Sequence, residues 1–156
     1  MKTLTPQQAK DKIQRFCAYQ ERSHQEVRNK LYSYGLYRSD VDEILSGLIT
    51  DGFLNEERFA RAFAGGKFRM KKWGRVKITH VLEEKGLSAN CIRLGMKEID
   101  DESYITTLRQ LLADKINTIS ADNPFVLRDK LSAYAIRKGY EPDLVWREIN
   151  ELVPRK

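Results

Sequence analysis

In GKFRMKKWGRVKITHVLEEKGL, Lys67, Arg69, Lys71, Lys72, Arg75 and Lys77 follow one another with Trp73 among them and no acid before Glu83. Extended back to Arg58 and Arg61, the stretch as far as Leu82 holds eight cations and not one Asp or Glu. Such side chains do not break bonds. They neutralise an anion supplied from outside, while an aromatic ring between them can stack or pack against the same partner. A solvated helix face normally interleaves opposite charges at i,i+4; this stretch forgoes that support and carries like-charge repulsion that a polyanion would relieve. We therefore take Arg61, Lys67, Arg69, Lys71, Lys72, Trp73, Arg75 and Lys77 as candidate contacts to a partner or to DNA. Of Phe68 and Trp73, at least one is expected in the core.

Residues capable of other chemistry are sparse. His24 and His80 are the only histidines, and neither has a Cys or an acid at ligand spacing beyond what chance supplies. His24 falls in the first turn after Ser23 and is expected at the surface; His80, two residues after Ile78, points off the apolar face. Cys17 and Cys91 each sit in a helical apolar pattern, which predicts burial rather than a disulfide. Asn55-Glu56-Glu57 and Asp100-Asp101-Glu102 stand where helices should begin, where carboxylates complement the helix dipole. There is no phosphate-cradling glycine loop, nucleophile elbow or metal pair on one helix turn. Neither enzymatic activity nor a cofactor or metal is expected.

The elements that must position the cations are helical. Only 9 Gly and 4 Pro occur in 156 residues, 41% are hydrophobic and 32% charged, and no segment alternates with period two for long. The balance of 28 Lys and Arg against 22 Asp and Glu, a formal +6, favours anionic partners without choosing among them. No apolar run reaches the roughly 20 residues of a membrane helix, and the start MKTLTPQQAK lacks the apolar core of a secretory signal, so the cytoplasm is the expected location and no membrane contact is expected.

The chain also repeats itself. Gly35, Gly86 and Gly139 anchor an alignment in which Leu31, Leu82 and Ala135 stand four residues earlier and Val27, Ile78 and Leu131 eight earlier, one face of a helix. Leu36, Leu87 and Tyr140 follow directly; Val41, Ile92 and Val145, then Leu45, Met96 and Ile149, then Leu48, Ile99 and Leu152 continue the register. Each glycine suits the left-handed residue that ends a helix. Ser23-x-x-Glu26 is a capping box, and Asn123-Pro124, Glu141-Pro142 and Thr5-Pro6 are helix starts. The middle unit has no cap, only Trp73-Gly74. A further amphipathic segment precedes each pair: Ala9, Ile13, Phe16 and Cys17; Phe59, Ala62 and Phe63; and, after Ser103, Ile105, Leu108, Leu112 and Ile116. Gly65-Gly66 costs a helix roughly 2 kcal/mol relative to alanines, so a break or a close contact is expected there. The reading is all-α: three tandem three-helix repeats, 1–53, 54–100 and 101–156, stacked as an elongated, curved array that binds along a surface.

Three blocks then resemble one family. Arg22-Ser23-x-x-Glu26-Val27-x-x-Lys30-Leu31, Asp51-Gly52-Phe53-Leu54-Asn55-Glu56-Glu57-Arg58-Phe59-Ala60 and Gly74-x-x-Lys77-Ile78-x-x-x-Leu82-x-x-Lys85-Gly86-Leu87 are similar, in order and spacing, to the signature blocks of the RecX regulators of the RecA recombinase. The sequence departs from the usual pattern at Arg75, where the family has Pro after Gly, and at Asn55 in place of Asp. The resemblance implies a non-enzymatic, monomeric, cytoplasmic protein that binds the RecA filament on single-stranded DNA, limits its growth or stability, and lowers ATPase, recombinase and co-protease activity. A stand-alone basic DNA-binding protein would use the same cations on phosphates. A scaffold for another acidic protein is the third reading.

Overall fold

Helix starts lie where a side chain can accept from otherwise unpaired backbone N–H groups. In the structure, a computed structural model that describes residues 3–154, Thr5 opens α1 (Pro6–Tyr19) with a reciprocal capping box to Gln8. Ser23 does the same with Glu26 for α2 (His24–Ser33), and α3 follows at Arg38–Thr50. Asn55 accepts from the Arg58 N–H at the head of α4 (Glu56–Lys71). Then come α5 (Arg75–Glu84), α6 (Ala89–Met96) and α7 (Asp101–Ile116), the last capped by Asp100, which accepts from the Ser103 N–H. The third amphipathic segment therefore begins before Ser103, not after it. Asn123 caps α8 (Pro124–Arg137), and Pro142 opens α9 (Pro142–Leu152). All regular structure among the described residues is helical.

The glycine-anchored register describes the buried face. Gly35, Gly86 and Gly139 have φ of +86°, +84° and +106°, the left-handed turn each was expected to supply. Val27, Ile78 and Leu131, and Leu31, Leu82 and Ala135, are fully buried. The last position departs: Leu152 is 40% exposed and Val153 is buried instead. Here α9 stops at Leu152, and the buried Arg128 guanidinium, 25 residues earlier, donates to the Val153 carbonyl at 2.6 Å.

Contacts divide the chain into two compact units. One comprises the chain up to Phe63 together with Leu82–Gly95; the other comprises Ala64–Val81 and the chain from Met96 onward. In the first, α1, α2 and α3 pack around Ala9, Ile13, Val27, Leu31, Val41, Leu45 and Leu48. α6 approaches the start of α4 closely, for a Cβ on Gly95 would lie 2.8 Å from the carbonyl carbon and oxygen of Ala60. His24 is not at the open surface: its Nδ1 lies 3.5 Å from Glu56 Oε1, and its Nε2 is buried without a partner. Cys17 is buried and Cys91 half-buried, both as free thiols. In the second unit α7, α8 and α9 pack on one another, with Tyr104, Leu108, Leu112, Leu131, Tyr140, Val145 and Ile149 inside.

One expectation for α4 is corrected, at Ala62, and at Gly65-Gly66 the helix has the close contact rather than the break. It runs unbroken through Gly65 and Gly66; a Cβ at Gly65 would meet the Arg69 guanidinium at 2.7 Å, whereas one at Gly66 would meet nothing within 4 Å. Its buried positions are Phe59, Ala60, Ala64, Gly65 and Phe68, while Ala62 is exposed, so the inward stripe passes through Ala60 and Ala64 rather than Ala62. Among the described residues no group of three or more His, Cys, Asp or Glu could hold a metal ion, and no helix is long and apolar enough to cross a membrane.

Candidate functional site

The cationic stretch spans the end of α4, a short turn and the start of α5. Lys72 ends α4 in the left-handed region, φ +57°, where the other positive-φ turns use glycine. The Lys72 N–H donates to the Phe68 carbonyl at 3.0 Å and the Trp73 N–H to that of Lys67 at 3.3 Å, closing the helix with a lysine where Gly has no steric penalty. Such a conformation persists only if the surroundings hold it. Here the loop between α8 and α9 does so: Tyr140 donates its hydroxyl to the Lys72 carbonyl at 3.0 Å, and Lys138 donates its ammonium to the Lys71 carbonyl at 3.1 Å.

The same loop provides the cap that the sequence of α5 lacks. The Gly74 N–H donates to the Lys138 carbonyl and the Val76 N–H to the Gly139 carbonyl, both at 2.9 Å, while the Arg75 N–H donates to the Tyr104 hydroxyl at 2.9 Å. Three donors at a helix start are thus satisfied by groups distant in sequence. So close a crossing of two backbones requires Gly74: a Cβ there would lie 2.2 Å from the Gly139 carbonyl carbon and 2.4 Å from the Tyr140 nitrogen.

Beneath the turn, the rings of Phe68, Tyr104 and Tyr140 are in contact, with centroids 5.8 and 4.9 Å apart. Phe68 is buried, so of the two aromatics in the stretch it is Phe68 that joins the core. Tyr104 donates its hydroxyl to the Glu141 carboxylate. Burial, and then that hydrogen bond, push the Tyr104 phenol well above the ordinary value of 10; burial does the same to Tyr140. Both stay neutral in the folded protein at pH values where an unfolded chain would lose the protons. Stability is therefore complete below about pH 10 and falls as pH rises beyond it, by up to about 1.4 kcal/mol per pH unit for each tyrosine. Urea midpoints measured between pH 9 and pH 11 are expected to fall less steeply in Tyr140→Phe, and an unchanged slope would contradict this assignment.

The cations divide by what they touch. Arg75 lies over the Tyr104 ring at 4.0 Å and pairs with Asp101 at 2.5 Å and with Glu141 at 3.8 Å, so its charge is compensated within the unit. Arg61, which belongs to the other unit, pairs with Glu57 at 3.1 Å, and Arg58 pairs with Glu21 at 2.6 Å. The expectation of eight uncompensated cations is thus corrected for these three, since the acids they meet lie outside the stretch. Lys67 and Lys77 place their ammoniums over the half-buried Trp73 ring at 5.1 and 4.5 Å. Arg69, Lys71 and Lys72 are exposed, and no carboxylate of the described residues is within ion-pair distance of them. Between them stands Met70, 85% exposed, a large apolar side chain at the tip of the turn that charge counting misses. Tyr104, Lys138, Tyr140 and Glu141 were also missed. The one signal for Tyr140 was that it is aromatic where the other two repeats have leucine.

An apolar tip ringed by cations on a braced turn can seat an acidic macromolecular surface. The fold is that of an all-α protein built of three-helix repeats. The model of the RecX second three-helix domain matches residues 55–96 and that of the third matches 101–149. The regulatory protein RecX of Clostridium acetobutylicum is 27% identical over 149 residues, 93% of this chain and 67% of that protein. That of Prosthecochloris aestuarii is 24% identical, covering 88% of this chain and 89% of the relative. The crystal structure of RecX from Lactobacillus salivarius superposes with a TM-score of 0.84 at 22% identity, over 94% of this chain and 96% of that one. The chain belongs to the RecX family. It spans between about a third and nine-tenths of the length of the curated relatives it matches.

Proposed function

We propose that this protein regulates RecA by binding the RecA filament on single-stranded DNA, limiting its growth or stability and thereby lowering ATPase, recombinase and co-protease activity, as a cytoplasmic monomer without catalysis of its own. Family membership supports RecA as the target. The observation that carries the contact surface is the exposed triad Arg69, Lys71 and Lys72 around Met70, held on a turn braced from behind by Lys138 and Tyr140. A nucleoprotein filament is a polyanion, so the triad supplies attraction and orientation, while Met70 provides an apolar anchor that a protein surface can seat and bare phosphates cannot. Lys67, Lys77 and Trp73 extend the contact, and Arg75 keeps the turn in register.

The test is RecA's DNA-dependent ATPase with this protein added at substoichiometric and then equimolar amounts. The Arg69→Glu/Lys71→Glu/Lys72→Glu protein is expected to bind the filament at least about tenfold more weakly and to inhibit correspondingly less, since like-charge juxtaposition at an interface costs several kcal/mol. Met70→Ala should weaken binding with little change in its salt dependence. Undiminished inhibition by the triple variant would rule out this surface. Inhibition that vanishes once DNA is in excess would instead favour the plain DNA-binding protein, whose affinity falls steeply with salt.

A further inference from the structure

Helix α1 places Lys12, Arg15 and Tyr19 on one face over two turns, beside Phe16. Across from them α2 presents Lys30 and Tyr34, and Arg22 closes the end of a cleft of about 500 Å³. The cations and rings interleave. Arg22 lies 3.7 Å and Lys30 5.5 Å from the Phe16 ring centre, and Lys12 lies 5.6 Å and Lys30 6.0 Å from that of Tyr34. The Arg22 guanidinium is fixed by donating to the Phe16 carbonyl at 3.1 Å. The Tyr19 ring stands 83% exposed at the rim.

Four cations are thus gathered in one concavity of the first unit, and the nearby acids are engaged elsewhere. Asp11 accepts from Gln7, Glu21 pairs with Arg58, and Glu26 caps α2 while meeting Lys85 and, at 3.9 Å, Arg22. Lys12, Arg15 and Lys30 have no carboxylate within ion-pair distance among the described residues. Their mutual repulsion is relieved by an anion, and the open Tyr19 ring beside them specifies which kind. A duplex offers phosphates but keeps its bases stacked inside, and an acidic peptide offers charge with nothing for the rings. A single strand offers both, with phosphates for the cations and unstacked bases for the rings.

The geometry points to a single-stranded nucleic-acid site in the α1–α2 cleft, with a base stacked at Tyr19 and the flanking phosphates on Lys12, Arg15 and Lys30. This site is separate from the α4–α5 surface and does not depend on the RecA reading. Its test needs no RecA: fluorescence anisotropy of a short labelled oligothymidylate with the full chain carrying Arg69→Glu/Lys71→Glu/Lys72→Glu/Lys67→Gln/Lys77→Gln, so that the other basic surface is stripped of its exposed cations. In that background Tyr19→Ala is expected to weaken binding about 5- to 150-fold, the range for loss of one base stack. Lys12→Gln/Lys30→Gln should lower the salt dependence by about 0.7 in log–log slope for each phosphate no longer neutralised. Both sets of side chains are exposed, so thermal melting should stay within a few degrees of the parent. Unchanged affinity in both variants overturns the site, as does absence of binding in the background protein. Equal competition by polyglutamate or by duplex DNA of the same length would assign the cleft to an acidic peptide or to phosphates alone, and also overturns it.

Discussion

Gly74→Ala is expected to destabilise the protein by more than about 4 kcal/mol, a large part of the whole stability of a domain this size. The added methyl would overlap the carbonyl of Gly139 and the nitrogen of Tyr140, all backbone atoms that no rotamer change can move aside. Relief requires α5 to withdraw from the α8–α9 loop, which breaks the hydrogen bonds from the Gly74 and Val76 N–H groups and separates Tyr140 from Lys72. Gly47→Ala is the control. It lies within α3 with nothing within 4 Å of a Cβ, so alanine there should stabilise by up to about 1 kcal/mol. Urea denaturation of the two variants beside the wild type gives the comparison, and a Gly74→Ala midpoint close to that of the wild type would mean the crossing is looser than described. Because the turn also presents Arg69, Lys71 and Lys72, filament binding should be lost with the fold.

The second large effect is expected at Tyr104, which is fully buried. Its hydroxyl accepts from the Arg75 N–H at the head of α5 and donates to Glu141 at the head of α9, joining two helix starts through one oxygen. Tyr104→Phe keeps the ring but leaves a backbone donor and a carboxylate without that partner, for a loss of about 1–3 kcal/mol. Tyr104→Ala also removes the ring between Phe68 and Tyr140 and the surface on which Arg75 lies, and about 3–5 kcal/mol should go. Combining Tyr104→Phe with Glu141→Gln should give less than the sum of the two, since both break one network. Strict additivity, or a phenylalanine as stable as the tyrosine, would show that the hydroxyl does not join the two starts.

What could be read from the sequence was local. Thr5, Ser23 and Asn123, with Pro6 and Pro124, act within three or four residues, and the glycine-anchored register follows from one helical period, so helix starts, most buried positions and the RecX resemblance were all legible. The misreadings each have a nonlocal cause. Ala62 shares an i, i+3, i+4 spacing with Phe59 and Phe63 yet is exposed, because which flank of the stripe turns inward is set by the helices that pack against α4. At Gly65-Gly66 the sequence left a break or a close contact open, and α4 continues there with the Arg69 side chain lying over Gly65. His24 looked exposed because Glu56, the acid it meets, is far along the chain.

The availability of the cations shows the same division. By itself the sequence determined that the stretch from Arg58 to Leu82 is positive, helical and interrupted at Trp73-Gly74, since charge, periodicity and chain reversal are properties of neighbours. Only the tertiary structure decided that Arg75 is neutralised by Asp101 and Glu141, that Lys67 and Lys77 flank an indole, and that Arg69, Lys71 and Lys72 remain at the surface around Met70. It decided too that the absent cap of α5 is a loop from the third repeat. The reason is physical: an ion pair or a borrowed hydrogen bond depends on distance in space, and that distance is set by how helices remote in sequence pack.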